Sequence, residues 1–431
     1  MTVLIAGAGI GGLTLALSLH QIGVPCRVFE AVSELKPLGV GINLQPHAVR
    51  EFAELDLLET LDAMAVRTAE VAYLSSHGAP IWSEPRGIAA GYRWPQLSVH
   101  RGALQLCLYR EVLARLGPQA VQLGTAVHGC EETPTGVRVH LSARAPNVQT
   151  TVEQHSRPAL LGSVDGTVLI AADGIHSRLR AAHYLDEGPP RWGGTLMWRG
   201  VSRAPSYLTG RTMAMAGCKA RKFVCYPIAE AGDGQAALVN WIADLAFPAD
   251  YLWNREDWTR PGRLDDFLPE FCDWDFAWLD IPNVIRSAPS VFEYPMVDRE
   301  PVEQWTFGPM TLLGDAAHAM YPIGSNGASQ AILDARVLAR ELLHRGVTVA
   351  ALEAYELERR PATARIVLAN RGDGPDKILD LVEQRAPHGF ADISDVLSQQ
   401  ELQQTANAYK QLAGMDVETL NQRPSIVAVK V

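Results

Sequence analysis

Several features are scarce or missing in this sequence of 431 residues, and each absence excludes a class of protein. The six cysteines lie far apart and include no Cys-x-x-Cys pair, which argues against a zinc ribbon, a dithiol redox centre or a disulfide scaffold. No stretch reaches the roughly 18 uncharged apolar residues that cross a bilayer, and no basic region precedes the apolar run near the N-terminus. The sequence therefore predicts a cytoplasmic protein with no membrane contact, no metal site and inert, packed cysteines.

Positive charge is also scarce, since 38 Lys and Arg residues stand against 48 Asp and Glu residues. The net charge of −10 predicts no general affinity for nucleic acid or for an anionic membrane. An apolar fraction of 47% and a charged fraction of 20% are typical of a globular enzyme, and the length predicts two or three sub-domains. The expected partner is a small molecule, and the expected assembly is a monomer or a homodimer.

A glycine-rich turn lies between a predicted strand over residues 2–6 and a predicted helix over residues 13–22. The turn reads Gly7-Ala8-Gly9-Ile10-Gly11-Gly12, and Glu30 follows a second predicted strand. A pyrophosphate on a helix N-terminus needs Gly7 for the bend, Gly9 for close backbone approach and Gly12 for helix packing. An acid in the position of Glu30 accepts hydrogen bonds from ribose hydroxyls. The turn thus predicts a dinucleotide but does not choose between NAD and FAD.

Two later sites make that choice. Asp173-Gly174 and Gly314-Asp315 each stand between a predicted strand and a predicted helix, and Asp315 is well placed for a ribityl or ribose hydroxyl. The run 322–327, Pro-Ile-Gly-Ser-Asn-Gly, then opens a helix predicted over residues 327–343. Backbone N–H groups there can stabilise negative charge on a reduced flavin ring. Either pair alone is typical of a plain turn, but together with the first turn they indicate FAD.

The pattern changes between residues 184 and 283, where short alternating segments predict antiparallel strands. Eight of the ten tryptophans fall between Trp192 and Trp305. A last helix is predicted over residues 349–370, kinked at Pro361. The expected organisation comprises an FAD-binding domain of residues 1–70, 100–183 and 285–371; a substrate-capping sheet domain of residues 71–99 and 184–284; a loop-like insert at 147–163; and a C-terminal extension, residues 372–431, without an assigned role.

In this order and setting, the three motifs resemble those of the class A flavoprotein aromatic hydroxylases over about residues 2–371. Those enzymes share the p-hydroxybenzoate hydroxylase fold, an α/β fold with a Rossmann-like FAD-binding domain, an antiparallel-sheet substrate domain and C-terminal helices. Further segments resemble the subgroup that hydroxylates N-methylphenazine carboxylate: residues 37–43 (Pro-Leu-Gly-Val-Gly-Ile-Asn), 82–87 (Trp-Ser-Glu-Pro-Arg-Gly), 100–102 (His-Arg-Gly), 197–201 (Met-Trp-Arg-Gly-Val) and 294–299 (Tyr-Pro-Met-Val-Asp-Arg).

The resemblance implies a role for each matching residue in binding FAD. The implied cofactor-binding residues are Gly7, Ala8, Gly9, Gly11, Gly12 and Glu30 for the ADP half, Gly41, Arg101 for the diphosphate, Asp173 for both FAD and NAD(P)H, Gly314 and Asp315 for the ribityl chain, and Pro322, Gly324, Asn326 and Gly327 beside the flavin ring.

The resemblance also implies the chemistry. NAD(P)H reduces the flavin, dioxygen gives a flavin C4a-hydroperoxide, and its distal oxygen is transferred to an electron-rich ring. Because that hydroperoxide decays in water, the pocket must be dry and apolar. A tryptophan-rich sheet over the ring would supply such a pocket and stack on a flat substrate, although ordinary core is the other interpretation of these aromatics. The departures at 147–163 and in the C-terminal extension leave the exact substrate open.

Pro322, Tyr226 and Arg199 are the candidate catalytic residues. Tyr294, His318 and Tyr321 are further residues that could bind a carboxylate or help to deprotonate a phenol, although capping roles are equally compatible with their positions. The expected substrate is a phenazine or an aromatic carboxylate. Two alternatives stay open: a flavin oxidoreductase of the same fold without oxygen insertion, and a flavoprotein that only sequesters an aromatic ligand. The 322–327 loop argues against sequestration, which has no use for a reduced flavin.

Overall fold

The computed structural model describes residues 1–37, 39–143, 159–232, 236–248, 250–253, 260–372, 374–412 and 416–428. Its strands, numbered in chain order, are β1 (Val3–Ala6), β2 (Cys26–Phe29), β3 (Gly41–Leu44), β4 (Ala65–Thr68), β5 (Glu70–Leu74), β6 (Pro80–Pro85), β7 (Gln96–His100), β8 (Val121–Gln122), β9 (Thr125–Thr133), β10 (Gly136–Ala143), β11 (Leu160–Gly166), β12 (Val168–Ala171), β13 (Arg191–Ala204), β14 (Thr212–Gly217), β15 (Arg221–Ala229), β16 (Ala237–Ala246), β17 (Asp275–Phe276), β18 (Leu279–Asp280), β19 (Val291–Asp298), β20 (Thr306–Phe307) and β21 (Met310–Leu312). Its helices are α1 (Ile10–Gln21), α2 (Pro46–Ala53), α3 (Leu58–Asp62), α4 (Arg101–Leu116), α5 (Arg178–His183), α6 (Ile281–Arg286), α7 (Asp315–His318), α8 (Gly327–Arg345), α9 (Val349–Ala369), α10 (Lys377–Arg385), α11 (Gln399–Leu412) and α12 (Val417–Gln422).

A six-stranded sheet in the order β20-β21-β12-β1-β2-β8 forms the centre of the molecule. Its pairs are parallel except for β20 with β21. Strands β1 and β12 both read Val-Leu-Ile-Ala and are buried at every position, as expected for strands covered on both faces. Helix α1 connects β1 to β2 and contacts α4 and α8. The predicted strand–turn–helix unit at the N-terminus is confirmed.

A second sheet has seven strands in the order β19-β13-β16-β15-β14-β5-β6. Its pairs are antiparallel except for β14 with β5, which contributes a strand from much earlier in the chain. The strands expected over residues 196–201, 222–227 and 237–243 lie within β13, β15 and β16. Because side chains alternate along each strand, this sheet has two distinct faces.

The tryptophans that the structure describes do not line the pocket beside the 322–327 loop, and Trp258 lies outside the described residues. Trp198 and Trp241 are buried with Phe223 and Phe267 on the face that α6 covers. The opposite face carries Met215, together with further methionine side chains. The expectation of a tryptophan-lined pocket is therefore wrong, and the interpretation as ordinary core is correct. The alternation of side chains along each strand predicts a sheet with two different faces, but it does not predict which face meets the cofactor.

Two three-stranded sheets complete the β-structure, in the orders β3-β7-β4 and β11-β10-β9. Part of the insert expected to be loop-like is strand β11, which pairs antiparallel with β10 in the register Val139↔Val164. Its side chains are mostly exposed, so that it lacks the buried alternation that identifies a strand. Residues 147–158 of the expected insert lie outside the described residues.

The C-terminal extension covers one end of the seven-stranded sheet. Ile378, Leu379 and Val382 of α10 are buried against a cluster that includes Tyr73 and Met215. The chain then reaches helix α2, where Arg423 donates to the buried Glu51 carboxylate at 2.8 Å. This segment, to which the sequence assigned no role, thus contacts both the seven-stranded sheet and α2, a helix that packs against α8.

Helix α9, the cysteines and the helix lengths can also be compared with the sequence-based expectations. Helix α9 runs from Val349 to Ala369 with Pro361 inside it. The six cysteines are free thiols, and burial raises the pKa of Cys26 and Cys225 to about 12, which keeps both unreactive. Among the helices described, none combines the length and apolar character that a bilayer crossing demands.

Candidate active site

Four of the predicted site residues meet along one edge of the central sheet. Gly7 follows β1, Glu30 follows β2, Asp173 comes shortly after β12, and Gly314 comes shortly after β21. Since these four strands are parallel neighbours, their carboxyl ends lie side by side. Ligands of open α/β sheets bind in the crevice at such an edge.

The glycine turn has the geometry of a phosphate-binding turn. Gly7 has φ +104°, and a Cβ atom there would lie 2.3 Å from the Ala172 carbonyl oxygen. A Cβ atom on Gly12 would lie 2.1 Å from the Gly7 oxygen. At Gly9, by contrast, a Cβ atom would meet no heavy atom within 4 Å. The space beside Gly9, at the N-terminus of α1, is where a pyrophosphate can approach the backbone.

Glu30 is tied to that turn. Its Oε2 accepts from the Ala8 N–H at 2.8 Å, and its Oε1 accepts from the Val32 N–H at 2.9 Å. Each carboxylate oxygen retains a lone pair for a ribose hydroxyl. Gln105 of α4 donates from Nε2 to the Ala8 oxygen at 2.8 Å. The sequence pattern gave no indication of Gln105, because the contact joins segments 97 residues apart.

Two charged side chains at the cleft, Arg101 and Asp315, have no partner among the residues that the structure describes. Arg101, the first residue of α4, is exposed and makes no ion pair within the described part of the chain. Asp315, the first residue of α7, is exposed and accepts no hydrogen bond from any residue that the structure describes. Gly314 before it has φ +63°, a conformation that favours glycine. The free cation suits a diphosphate, and the free carboxylate suits ribityl hydroxyls.

Asp173 is partly buried beside the start of α5. Its Oδ2 accepts from the Arg178 N–H at 3.0 Å, whereas its Oδ1 is buried without a donor among the described residues. Burial raises the pKa of this carboxyl. An acceptor left without a partner costs free energy, so that the site fits a ligand that supplies a hydroxyl or N–H donor.

His318 lies beneath the cleft rather than in it. Its Nε2 is 2.5 Å from Asp334 Oδ2, and the same oxygen accepts from the Gly314 N–H at 3.2 Å. Arg359 donates from Nε to Asp334 Oδ1 at 2.7 Å. Although burial acts in the opposite direction, His318 and Arg359 hold the pKa of Asp334 below its ordinary value. This buried network supports the Gly314 turn, and the sequence identified neither Asp334 nor Arg359.

The 322–327 loop opens α8. Gly324 has φ +82° and Ser325 has φ +52°, so that the chain passes through two successive left-handed residues before the helix begins. Gln45 holds this loop from the other side, since its Nε2 donates to the Gly324 oxygen at 3.4 Å. Asn326 is buried, and its Nδ2 has no acceptor within the described chain. The first N–H groups of α8 point out of the helix and can bind negative charge.

Gly41 is held by three side chains of the seven-stranded sheet. Arg199 donates from Nη2 to the Gly41 oxygen at 3.0 Å, and Tyr226 donates its hydroxyl to the same oxygen at 2.7 Å. The Gly41 N–H donates to Asn240 Oδ1 at 2.6 Å. A Cβ atom at Gly41 would lie 2.7 Å from the Asn240 side chain, so that only glycine fits. Burial raises the pKa of Tyr226 to about 12, which keeps its hydroxyl a donor.

A pocket lies between the 322–327 loop and the methionine-bearing face of the sheet. Pro375 and Asp376 of the C-terminal extension close one side of it. The sheet residues that line it are Met197, Met213, Met215, Lys222, Val224, Ile242, Asp244 and Met296. Tyr294 and Tyr321 belong to the adjoining cluster around Met197 and Met296. The charged residues that line the pocket are Lys222, Asp244 and Asp376, and no motif in the sequence indicated them.

The residues present fit an extended dinucleotide with a redox-active ring. The open space at Gly9 and the unpaired Arg101 suit the diphosphate, and Asp315 and the unpaired oxygen of Asp173 suit hydroxyl groups. The 322–327 loop then brings a helix N-terminus to the pocket. Within the described chain, no group of His, Cys, Asp or Glu side chains could hold a metal ion.

Comparison with known proteins agrees with this fit. The protein family described as an FAD-binding domain matches residues 1–198 and 282–370, and the chain belongs to this family. It is an FAD-dependent monooxygenase of the aromatic hydroxylase class, and enzymes of this class use NAD(P)H and dioxygen together with FAD. The expected family, the expected cofactors and the expected class of enzyme are confirmed.

Particular relatives define the neighbourhood more closely. The chain is 44% identical to a phenazine 1,6-dicarboxylic acid hydroxylase of Lysobacter antibioticus over 372 residues, 86% of this chain and 89% of that protein. It is 31% identical to a 3-amino-4-hydroxybenzoate 2-monooxygenase of Streptomyces platensis over 380 residues, 86% of this chain and 87% of that protein. A Klebsiella pneumoniae protein complexed with FAD and uric acid superimposes with a TM-score of 0.72 at 24% identity, covering 97% of this chain and 96% of the other. A salicylate hydroxylase does so with 0.70 at 21%, covering 100% and 98%. These structures confirm the expected fold.

Proposed function

We propose that this monooxygenase hydroxylates a flat N-heteroaromatic carboxylate of the phenazine type. The observation that carries the proposal is the 44% identity to a phenazine 1,6-dicarboxylic acid hydroxylase across 86% of this chain. The pocket supports it, because four methionine side chains give a flat, polarisable wall suited to an aromatic ring system. The alternatives without oxygen insertion receive no support from the relatives, which are hydroxylases and monooxygenases.

FAD, when bound and reduced by NAD(P)H, would supply the electrons that activate dioxygen, and the oxygen atom that is transferred would come from that dioxygen. The protein's own residues would bind and orient FAD. We assign the diphosphate to the turn at Gly9 and to Arg101, and the ribityl chain to Asp315. The N–H groups at the start of α8, which follows the pocket-lining residues 322–325, would stabilise negative charge on the reduced ring. Water is excluded by the methionine face and by Pro375, which limits wasteful loss of the oxidant.

Arg199, Tyr226 and Pro322 are the residues that we assign to the reacting end of the site. Arg199 and Tyr226 fix the Gly41 carbonyl, while Pro322 lines the pocket beside Gly324. Arg199 Nε is buried with no acceptor in the described part of the chain, so that it remains available to a ligand. Its fixed positive charge, close to the pocket face, favours an anionic ring or an anionic substrate.

The test uses the purified holoenzyme with a panel of phenazine carboxylates, 3-amino-4-hydroxybenzoate, salicylate and urate. Ligand-stimulated oxidation of NADH and of NADPH is measured under isotopically labelled dioxygen, and the products are analysed by mass. We expect the strongest stimulation with a phenazine carboxylate, and one labelled oxygen atom in its product. An unlabelled product would establish the oxidoreductase alternative, and ligand binding without any oxidation of NADH or NADPH would establish sequestration.

We further propose a cytoplasmic location, supported by six free thiols in the described chain. The same holoenzyme preparation, examined by light scattering, should give the mass of a monomer or a homodimer. A larger assembly would contradict that part of the proposal.

A further inference from the structure

A buried ion cluster occupies one end of the apolar pocket. Lys222 of β15 donates from Nζ to Asp376 Oδ2 at 2.6 Å and lies 3.3 Å from Asp244 Oδ2 of β16. Lys222 and Asp244 are 7% and 4% exposed. Asp376 comes from the C-terminal extension, so that three separate segments meet here. Asp244 Oδ1 is buried and has no donor among the residues that the structure describes.

The hydrogen-bonding capacity of this cluster is not filled. The two carboxylates raise the pKa of Lys222 above its ordinary value, although burial opposes this, and the Lys222 ammonium contacts both carboxyl groups. Burial raises the pKa of Asp244, and the positive charges of Lys222 and Arg199 oppose that rise. The cluster therefore leaves one acceptor without a partner, in a pocket whose other lining is mostly methionine and aliphatic. Such an acceptor is costly unless a ligand satisfies it.

Resting on the proposed function, we propose that Asp244 is the substrate-selecting residue of this hydroxylase and accepts a hydrogen bond from an O–H or N–H group on the aromatic ring. Lys222 holds Asp244 Oδ2, which fixes the carboxylate and leaves Oδ1 for the substrate. Asp376 holds Lys222 in turn. A carboxylate group of the substrate must point away from Asp244, since two anions in this apolar surrounding repel each other.

The test compares the binding of 2-hydroxyphenazine and 2-methoxyphenazine to the oxidised holoenzyme, followed by the change in flavin absorbance. The two probes differ in one hydrogen-bond donor. We expect the wild type to bind the hydroxyl compound at least about tenfold more tightly, as for a hydrogen bond to a buried charged group. Equal affinity, including no binding of either probe, would overturn the assignment.

Asp244→Asn keeps the size of the side chain. Because the Lys222 ammonium retains the amide oxygen, the amide N–H₂ replaces Oδ1 and donates instead of accepting. We expect the preference for the hydroxyl compound to vanish while FAD content and melting temperature stay close to those of the wild type. The matched control is Asp273→Asn, at a carboxylate that is 70% exposed and does not line the pocket, and this variant should keep the preference.

A preference that survives in Asp244→Asn, or that Asp273→Asn abolishes equally, would show that Asp244 does not select the substrate. If Asp244→Asn loses FAD, the wild-type comparison decides by itself. Failure of the proposed function is distinguishable, because it concerns labelled oxygen in a product, whereas this experiment measures binding to the oxidised enzyme alone.

Discussion

Gly9 and Gly12 belong to the same turn but stand in opposite surroundings. A side chain on Gly12 would collide with the Gly7 carbonyl, whereas one on Gly9 would project into open space. Gly12 is thus required by the fold of the turn, whereas the fold makes no such demand on Gly9, which we propose to be required by the bound diphosphate. Substitutions at the two positions should therefore separate folding from cofactor binding.

We expect Gly9→Ala to fold normally but to bind FAD at least about tenfold more weakly, because the methyl group occupies space needed by the diphosphate. Apoprotein stability and FAD affinity are measured by urea unfolding and by quenching of FAD fluorescence. Gly129→Ala is the matched control, since a Cβ atom there also meets nothing within 4 Å. Equal FAD affinity in Gly9→Ala and in the wild type would contradict this placement of the diphosphate.

Tyr226 gives a prediction that depends on pH. Burial raises its pKa from about 10 to about 12, so that the folded state retains the phenolic proton where the unfolded state loses it. The stability contributed by this proton is complete below pH 10 and is lost as the pH rises through about 12. We expect Tyr226→Phe to be about 1 kcal/mol less stable than the wild type at neutral pH. That difference should shrink above pH 10 in urea unfolding.

Tyr109→Phe serves as the reference, because Tyr109 is only partly buried and makes no hydrogen bond within the described chain. A stability difference for Tyr226→Phe that stays constant from neutral pH up to about pH 12 would show that the hydroxyl titrates normally.

Residues of the candidate site could be predicted where they belong to a local sequence motif. Gly7, Glu30, Asp173 and Asp315 follow strands of the central sheet, and the carboxyl ends of parallel strands share an edge. Asp244 was not predictable in this way. It is significant only through a pairing register that joins it to Lys222, and no local pattern encodes that register.

At the scale of elements, the seven-stranded sheet separates stability from recognition. Trp241 lies on the packed face, where its Nε1 donates to Ser202 Oγ at 2.9 Å. Met215 lies on the pocket face. The alternation of each strand was visible in the sequence, but the face that meets the 322–327 loop depends on long-range packing. For this reason the sequence predicted the tryptophans on the wrong face of the sheet.

We expect Trp241→Phe to lower the free energy of unfolding by about 1–3 kcal/mol and to leave ligand affinity unchanged. Met215→Leu, which conserves volume, should cost less than about 1.5 kcal/mol but shift the affinity for the best phenazine ligand. Urea unfolding and ligand titration of both variants provide the comparison. If Trp241→Phe changed the ligand affinity and Met215→Leu left it unchanged, the pocket would lie on the tryptophan face.

Helix α10 is predicted to support the pocket as well as the fold. Leu379 is 1% exposed and packs in the cluster beneath the pocket, close in sequence to Asp376. We expect Leu379→Ala to cost about 2–4 kcal/mol and to increase the share of NADH oxidised without product, because water enters the pocket. Leu357→Ala, at a side chain that is 77% exposed, is the control. Unchanged coupling in Leu379→Ala would limit α10 to a stabilising role.

At the scale of the molecule, the C-terminal extension contacts both the seven-stranded sheet and helix α2. Arg423 and Arg336 both contact Glu51 of α2, whose side chain is fully buried. The sequence did not predict this contact, because the segment is polar in composition and its partner lies more than three hundred residues away. The N-terminal motif, by contrast, predicted β1, α1 and β2 from the first thirty residues.

We expect Arg423→Met to lower the free energy of unfolding by about 1–3 kcal/mol, since Glu51 keeps Arg336 but loses a second charge partner. The exposed Arg263, with a side chain 75% accessible, gives the matched variant Arg263→Met, which should change stability by less than about 0.5 kcal/mol. Equal stability of the two variants would show that the contact between Arg423 and Glu51 does not stabilise the fold.

The methionine wall also makes the enzyme vulnerable to its own side reaction. Turnover that releases peroxide inside the pocket places an oxidant against Met197, Met213, Met215 and Met296. Methionine sulfoxide is polar, so that each oxidation admits water to the apolar surface that limits peroxide release. The rate of oxidation should therefore rise during turnover. An enzyme that turns over with a poor substrate should lose activity faster than one whose pocket is filled by a good substrate. Peptide mass analysis after such turnover should find these buried methionines oxidised ahead of Met1, which is 87% exposed.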